Sequence, residues 1–204
     1  MYRHPPFMSA FRITRMALPC LLFATCALAQ PLGDVENHQR AFALQHQGQE
    51  DFFAGKIPAA IENFDAYIAL KPEQDPHHWQ RGICYYYAGE FAKGKSQFER
   101  HQKVNSQDVE NAVWHFLCAA RIEGGSVEAA RANLIPIEWD ARVPMKQIHD
   151  LFAGTGTVAD VLAVAQSRND KCYAHLYLGL YFEALGDDAK AKMHIERAAI
   201  EFRM

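Results

Sequence analysis

The chain has 204 residues, of which 50% are hydrophobic and 22% charged, with a formal net charge of -3. This ordinary globular usage excludes a wholly disordered or collagen-like chain. The absence of a basic excess argues against electrostatic binding of nucleic acid.

Residues 1–29 stand apart. They carry Arg3, Arg12 and Arg15, no Asp or Glu, and the apolar run Met16 to Ala29, which closes in Ala27-Leu28-Ala29. The run is 14 residues long, short of the ~20 that a helix needs to cross a bilayer. It reads as a cleaved export signal rather than a stable membrane span. An organelle transit peptide is the other reading of arginine without acid. Without this segment, 18 basic residues face 24 acidic ones, an excess of acid that favours solubility. Cys20 follows Pro19 and Cys26 follows Thr25. Neither fits a lipoprotein signal, so no lipid anchor is expected. The remaining Cys84, Cys118 and Cys172 are odd in number and widely spaced. They read as buried small hydrophobes rather than as a disulfide framework.

From residue 30 onward a repeat organises the chain. Gly48, Gly55, Ala60 and Phe64 recur 34 residues later as Gly82, Gly89, Gly94 and Phe98. Two helical patterns flank each turn glycine, Gln45 to Ala54 with Pro58 to Leu70, then Trp79 to Tyr87 with Ala92 to Val104. Gly55 and Gly89 supply the tight turn. Gly48 and Gly82 let paired helices approach, and Phe64 and Phe98 fill the space between neighbouring hairpins. Asp75-Pro76 reads as the N-cap and first position of the second unit. A third unit places Trp114, Gly124 and Ala129, with Ser126 as the N-cap of a second helix that ends early at Ile135-Pro136. A degenerate fourth unit runs from Val143 to Gln166, with Thr157 and Asp160 spaced as a capping box. The fifth is regular again, from Leu178-Gly179 through Gly186 to Ala198. The expected fold is an all-α solenoid of about five helix-turn-helix units, spanning residues 30–204.

These marks resemble the tetratricopeptide repeat (TPR) family. An aromatic, Leu-Gly, a turn Gly, Ala, a bulky residue and Ala recur at one period. A narrower resemblance is to the NlpI-type periplasmic TPR lipoproteins. It is carried by Arg81 to Gly89, by Trp114-His115-Phe116-Leu117, by Ile148 to Gly154, and by Tyr177 to Tyr181. The resemblance implies an exported, periplasmic or envelope-associated scaffold. It also implies a link to peptidoglycan hydrolases, because members of that group bring cell-wall hydrolases and a protease together.

In a stack of helical hairpins the first helix of each unit lines the concave face. The helical register then puts Phe52, Phe53, Trp79, Ile83, Tyr86, Tyr87, Trp114, Cys118, Arg121 and Ile122 toward a binding groove. Its aromatics and arginine match the composition of binding hot spots. The expected function is non-enzymatic capture of a partner protein. A structural assembly factor that works through convex or end surfaces is the alternative. No cofactor is expected. His115 and Cys118 share a helix face but lack further ligands at zinc-type spacing, so no metal is expected either. The apolar residues Ile195, Ala198, Ala199, Ile200 and Phe202 near the last position fit two readings: a homodimer through the C-terminal helix, or a final helix already turned inward.

Overall fold

The computed structural model describes residues 32–203, so the export-signal reading lies outside the described residues. Within them the chain is all-helical, with no strand. Ten α-helices follow one another: α1 (Leu32–Phe53), α2 (Ile57–Leu70), α3 (Trp79–Tyr87), α4 (Phe91–His101), α5 (Val109–Arg121), α6 (Val127–Ala132), α7 (Met145–Ala153), α8 (Val158–Val164), α9 (Arg168–Ala184) and α10 (Asp188–Glu196). A 3-10 segment, Pro72–His77, joins α2 to α3, and a single π turn, Arg197–Glu201, continues α10.

The helices pair as antiparallel hairpins, odd with following even. Each turn carries one glycine with positive φ: Gly55, Gly89, Gly124, Gly154 and Gly186, at 71° to 78°. That left-handed conformation is cheap only for glycine. A second device sets the spacing inside a hairpin. A Cβ at Gly48 would lie 2.5 Å from the Phe64 ring, one at Gly82 2.7 Å from Phe98, and one at Gly179 2.6 Å from Ile195. A first-helix glycine thus seats a bulky second-helix side chain in hairpins one, two and five. Phe64 and Phe98 also touch the following hairpin, against the rings of His78 (4.4 Å) and Trp114 (6.5 Å).

The N-caps fall where the sequence places them in the second half. Ser126 accepts from the Ala129 amide (3.1 Å), and Thr157 with Asp160 forms a reciprocal capping box. Ser167 and Asp170 make another at the start of α9. The Asp75-Pro76 signal behaves differently. These residues lie inside the 3-10 segment, and α3 opens three positions later at Trp79. The Asp75 carboxylate is engaged elsewhere, 2.6 Å from both Arg81 and Arg100. Ion pairing across the connector wins over capping.

One continuous core runs from α3 to α9 and contains Phe98, Phe116, Leu117, Met145, Ile148, Phe152 and Leu178. A smaller cluster of Ala60, Phe64 and Cys84 joins the first two hairpins. Neighbouring hairpins pack in chain order, but α5 also touches α9, skipping the fourth hairpin. The cause is length: α7 has 9 residues and α8 has 7, against 17 in α9. The short fourth hairpin leaves α9 free to reach across it. Phe152 on α7 packs edge-on against Phe116 of α5 (5.1 Å) and Tyr181 of α9 (5.3 Å), tying the three together. No helix among the described residues is long and apolar enough to cross a membrane.

Candidate functional site

The reach of α9 back toward α3 and α5 leaves a cleft of about 730 Å³ between the three helices. That lies within the ~300–1,000 Å³ typical of ligand clefts. Trp79 and Ile83 of α3 form one wall, Asn111 and Trp114 of α5 the floor, and Tyr173, Leu176 and Tyr177 of α9 the opposite wall. The α4–α5 connection closes one end with His101, Val104, Asn105 and Asp108.

Helical spacing explains the wall composition. Trp79 and Ile83, and likewise Tyr173 and Tyr177, stand four apart and so share one helix face. The two tyrosine rings stack nearly parallel at 6.5 Å. Tyr177 is buried and donates its hydroxyl to Glu110 (2.7 Å). Burial, reinforced by the Glu110 charge, pushes its phenol well above the usual tyrosine range, so it stays a donor. Glu110 belongs to an acidic group gathered by Arg142. This guanidinium contacts Asp108 (2.6 Å), Asp140 (2.6 Å) and Glu110 (2.8 Å). Three carboxylates against one guanidinium leave the floor end of the cleft net negative. Asp108 also caps α5 by accepting from the Glu110 amide (3.1 Å).

The opposite end is plugged. Glu183 of α9 accepts from Arg121 (2.9 Å) and from the Tyr86 hydroxyl (3.3 Å). The Arg121 guanidinium lies over the rings of Tyr86 (5.2 Å) and Phe91 (5.8 Å). Burial and the Glu183 charge raise the Tyr86 phenol, keeping it protonated.

The ten groove residues read from the sequence therefore divide. Trp79, Ile83 and Trp114 line the cleft. Tyr86 and Arg121 form its plug instead. Tyr87 is 55% exposed and packs on Trp114 (6.0 Å) outside the cleft wall. Phe52 abuts Trp79 edge-on (6.4 Å), while Phe53 projects at the end of α1, 79% exposed. Cys118 is fully buried at the α4–α5 interface, where Gly94 has no side chain and makes room for its sulfur. Its helix register points it at the neighbouring hairpin rather than the cleft. Ile122 lines a separate hollow with Glu99 and His115 on the far side of α5.

The residues that the sequence reading missed are Tyr173, Leu176 and Tyr177 from the last hairpin, with Asp108, Glu110 and Asn111. The Tyr173–Tyr177 pair repeats the four-residue spacing of Trp79–Ile83 and was the available signal. Nothing in the local pattern announces that α9 crosses to α5.

The thiols of Cys84 and Cys118 are pushed up to about 12 by burial. A protonated, enclosed thiol is a poor nucleophile. Among the described residues no group of three or more His, Cys, Asp or Glu side chains is placed to hold a metal ion. No family model matches this chain.

Proposed function

We propose that the chain is a non-enzymatic adaptor of the TPR-like solenoid type, which captures a partner polypeptide in the cleft between α3, α5 and α9. One observation carries this reading: first helices of three hairpins converge on a single cleft walled by Trp79, Trp114, Tyr173 and Tyr177. Amphipathic aromatics in a concave, largely apolar site are the side chains that supply most binding energy at protein interfaces. The export reading rests on residues 1–29 and places the adaptor in the periplasm or cell envelope, with peptidoglycan hydrolases among the partners that the TPR lipoprotein resemblance implies.

The decisive experiment compares the wild-type protein with Trp79→Ala/Leu176→Ala as bait in envelope extract. Both positions are partly exposed cleft walls, so helix content measured by circular dichroism should be retained. Loss of the captured partner with intact helicity is expected. Undiminished capture by the folded double variant overturns the reading.

A second reading has its own observation. Phe42, Phe53, Trp139 and Ile200 are each at least 70% exposed and lie away from the cleft. An assembly factor that works through its ends, or a homodimer through the C-terminal helix, would cover such side chains. Among the described residues at the C-terminal end, Ile200 and Met193 stand out, because Ala198 is buried and Phe202 stacks on His175 (5.3 Å). A sedimentation mass of two chains, reduced to one by Ile200→Asp, is the result this reading requires.

A further inference from the structure

The walls of the cleft share a chemical bias. Asp108 and Glu110 present carboxylates, and among the described residues no lysine or arginine lines the cleft. Arg142, behind them, offsets only one of the three carboxylates it gathers. Asn111, 3% exposed, adds an acceptor. Its amide nitrogen donates to the Phe98 carbonyl (3.2 Å) and to Gln102 (2.9 Å), but its Oδ1 has no partner. A buried acceptor left unpaired costs about 1–3 kcal/mol, and a donor that reaches it through a small side-chain shift recovers that cost. Asp108 and Glu110 already accept from Asn105, Arg142 and Tyr177. Each carboxylate oxygen can take a second donor, so the spare hydrogen-bonding capacity of this site is acceptor, set among aromatic faces. A cation is drawn to both: carboxylates attract it, and the faces of Trp and Tyr hold it by their quadrupole. A polyanion or a plain hydrocarbon finds neither.

We infer that the cleft takes a basic side chain, arginine or lysine, of the partner segment, held between Trp79, Trp114 and Tyr173 with its donors toward Asp108, Glu110 and Asn111. This rests on the adaptor reading and sharpens it, because it selects partners that present an exposed basic residue on a flexible segment. Arginine fits best: its planar fork stacks on an aromatic face while offering several donors at once.

The test uses the whole protein and three short peptides, N-acetyl-Gly-X-Gly-amide, with X as arginine, lysine or citrulline. Citrulline keeps the shape of arginine without its charge. The chain has three tryptophans, so their indole N–H resonances are readily assigned. Trp79 and Trp114 line the cleft, whereas Trp139 does not and serves as an internal control. The arginine peptide should shift the Trp79 and Trp114 signals saturably and leave Trp139 in place. Citrulline should bind at least about tenfold more weakly, the loss expected when a charge-assisted pairing of about 1.4 kcal/mol disappears. Asp108→Asn keeps a good helix cap, and together with Glu110→Gln it should weaken the arginine peptide more than the citrulline peptide.

Equal affinity for arginine and citrulline overturns the inference without any variant, as does the absence of saturable shifts up to about 10 mM peptide. Preferential binding of N-acetylglucosamine at the same tryptophans would also overturn it and mark a glycan site. The two readings fail separately. If capture of the partner is lost in Trp79→Ala/Leu176→Ala but citrulline binds as well as arginine, the adaptor stands and the charge selection falls. If capture survives while arginine selectivity holds, the adaptor reading falls and the cation site stands.

Discussion

The first two hairpins and the last three are built on different logics. In the first two, a glycine on one helix seats a phenylalanine from the next, and the first hairpin packs on the second. In the last three, α6, α7 and α8 are short, and α9 crosses the gap to reach α5. The regular part sets the direction of stacking. The irregular part makes the cleft, because a full-length fourth hairpin would hold α9 away from Trp114 and Glu110. The site is thus a product of the departure from the repeat.

The largest expected effect tests this division directly. Phe152→Ala removes the ring that ties α5 to α9, and Phe64→Ala removes its counterpart between the first hairpins. Each should cost about 3–5 kcal/mol in urea unfolding, as large-to-small changes at buried aromatics do. Only Phe152→Ala should red-shift the emission of Trp114. An equal shift in both variants would mean that the two regions are not separate.

Acid should weaken both regions. Burial, with Arg81 nearby, holds His78 neutral down to about 4 in the second hairpin. Burial, then Arg197 and His194, does the same for His175, also to about 4, in the fifth. His175 faces His194 with their Nδ1 atoms 2.7 Å apart, one donating and one accepting while both rings are neutral. Unfolded histidine titrates near 6.5, so between about 6.5 and 4 the unfolded chain binds more protons. Stability must therefore fall as pH falls through this window, by up to about 1.4 kcal/mol per pH unit for each ring. His175→Gln should flatten the profile measured by urea denaturation from pH 7 to pH 4.5. An unchanged slope would assign the acid sensitivity elsewhere.

Smaller effects separate the two packing devices. Gly48→Ala forces a methyl to within 2.5 Å of the Phe64 ring and should cost about 1–3 kcal/mol, as overpacking does. Tyr177→Phe removes one hydrogen bond to Glu110 and should cost about 0.5–1.5 kcal/mol. Its thermal midpoint should drop less than that of Gly48→Ala. The reverse order would make the α5–α9 contact, not the glycine seat, the tighter constraint.

The sequence made the helices legible because their periodicity, turn glycines and caps are local properties. Ser126, Thr157 and the glycine-phenylalanine pairs could be placed from spacing alone. Asp75 could not, since its carboxylate is claimed by Arg81 and by Arg100, 25 residues further along. The cleft was half visible for the same reason. Trp79, Ile83 and Trp114 belong to successive units, and their register follows from the repeat. Tyr177 reaches Glu110 across 67 positions, and that contact depends on the shortness of α7, which no heptad or glycine reports. Cys118 was misplaced because a helix face toward the cleft and one toward α4 differ by a single step of register.

The central claim is that the partner enters between α3, α5 and α9. A photo-crosslinking amino acid at Leu176, a cleft wall, should yield a covalent adduct with the partner in intact cells. The same probe at Lys192, exposed on α10 away from the cleft, should yield none. An adduct from Lys192 with none from Leu176 would contradict the account.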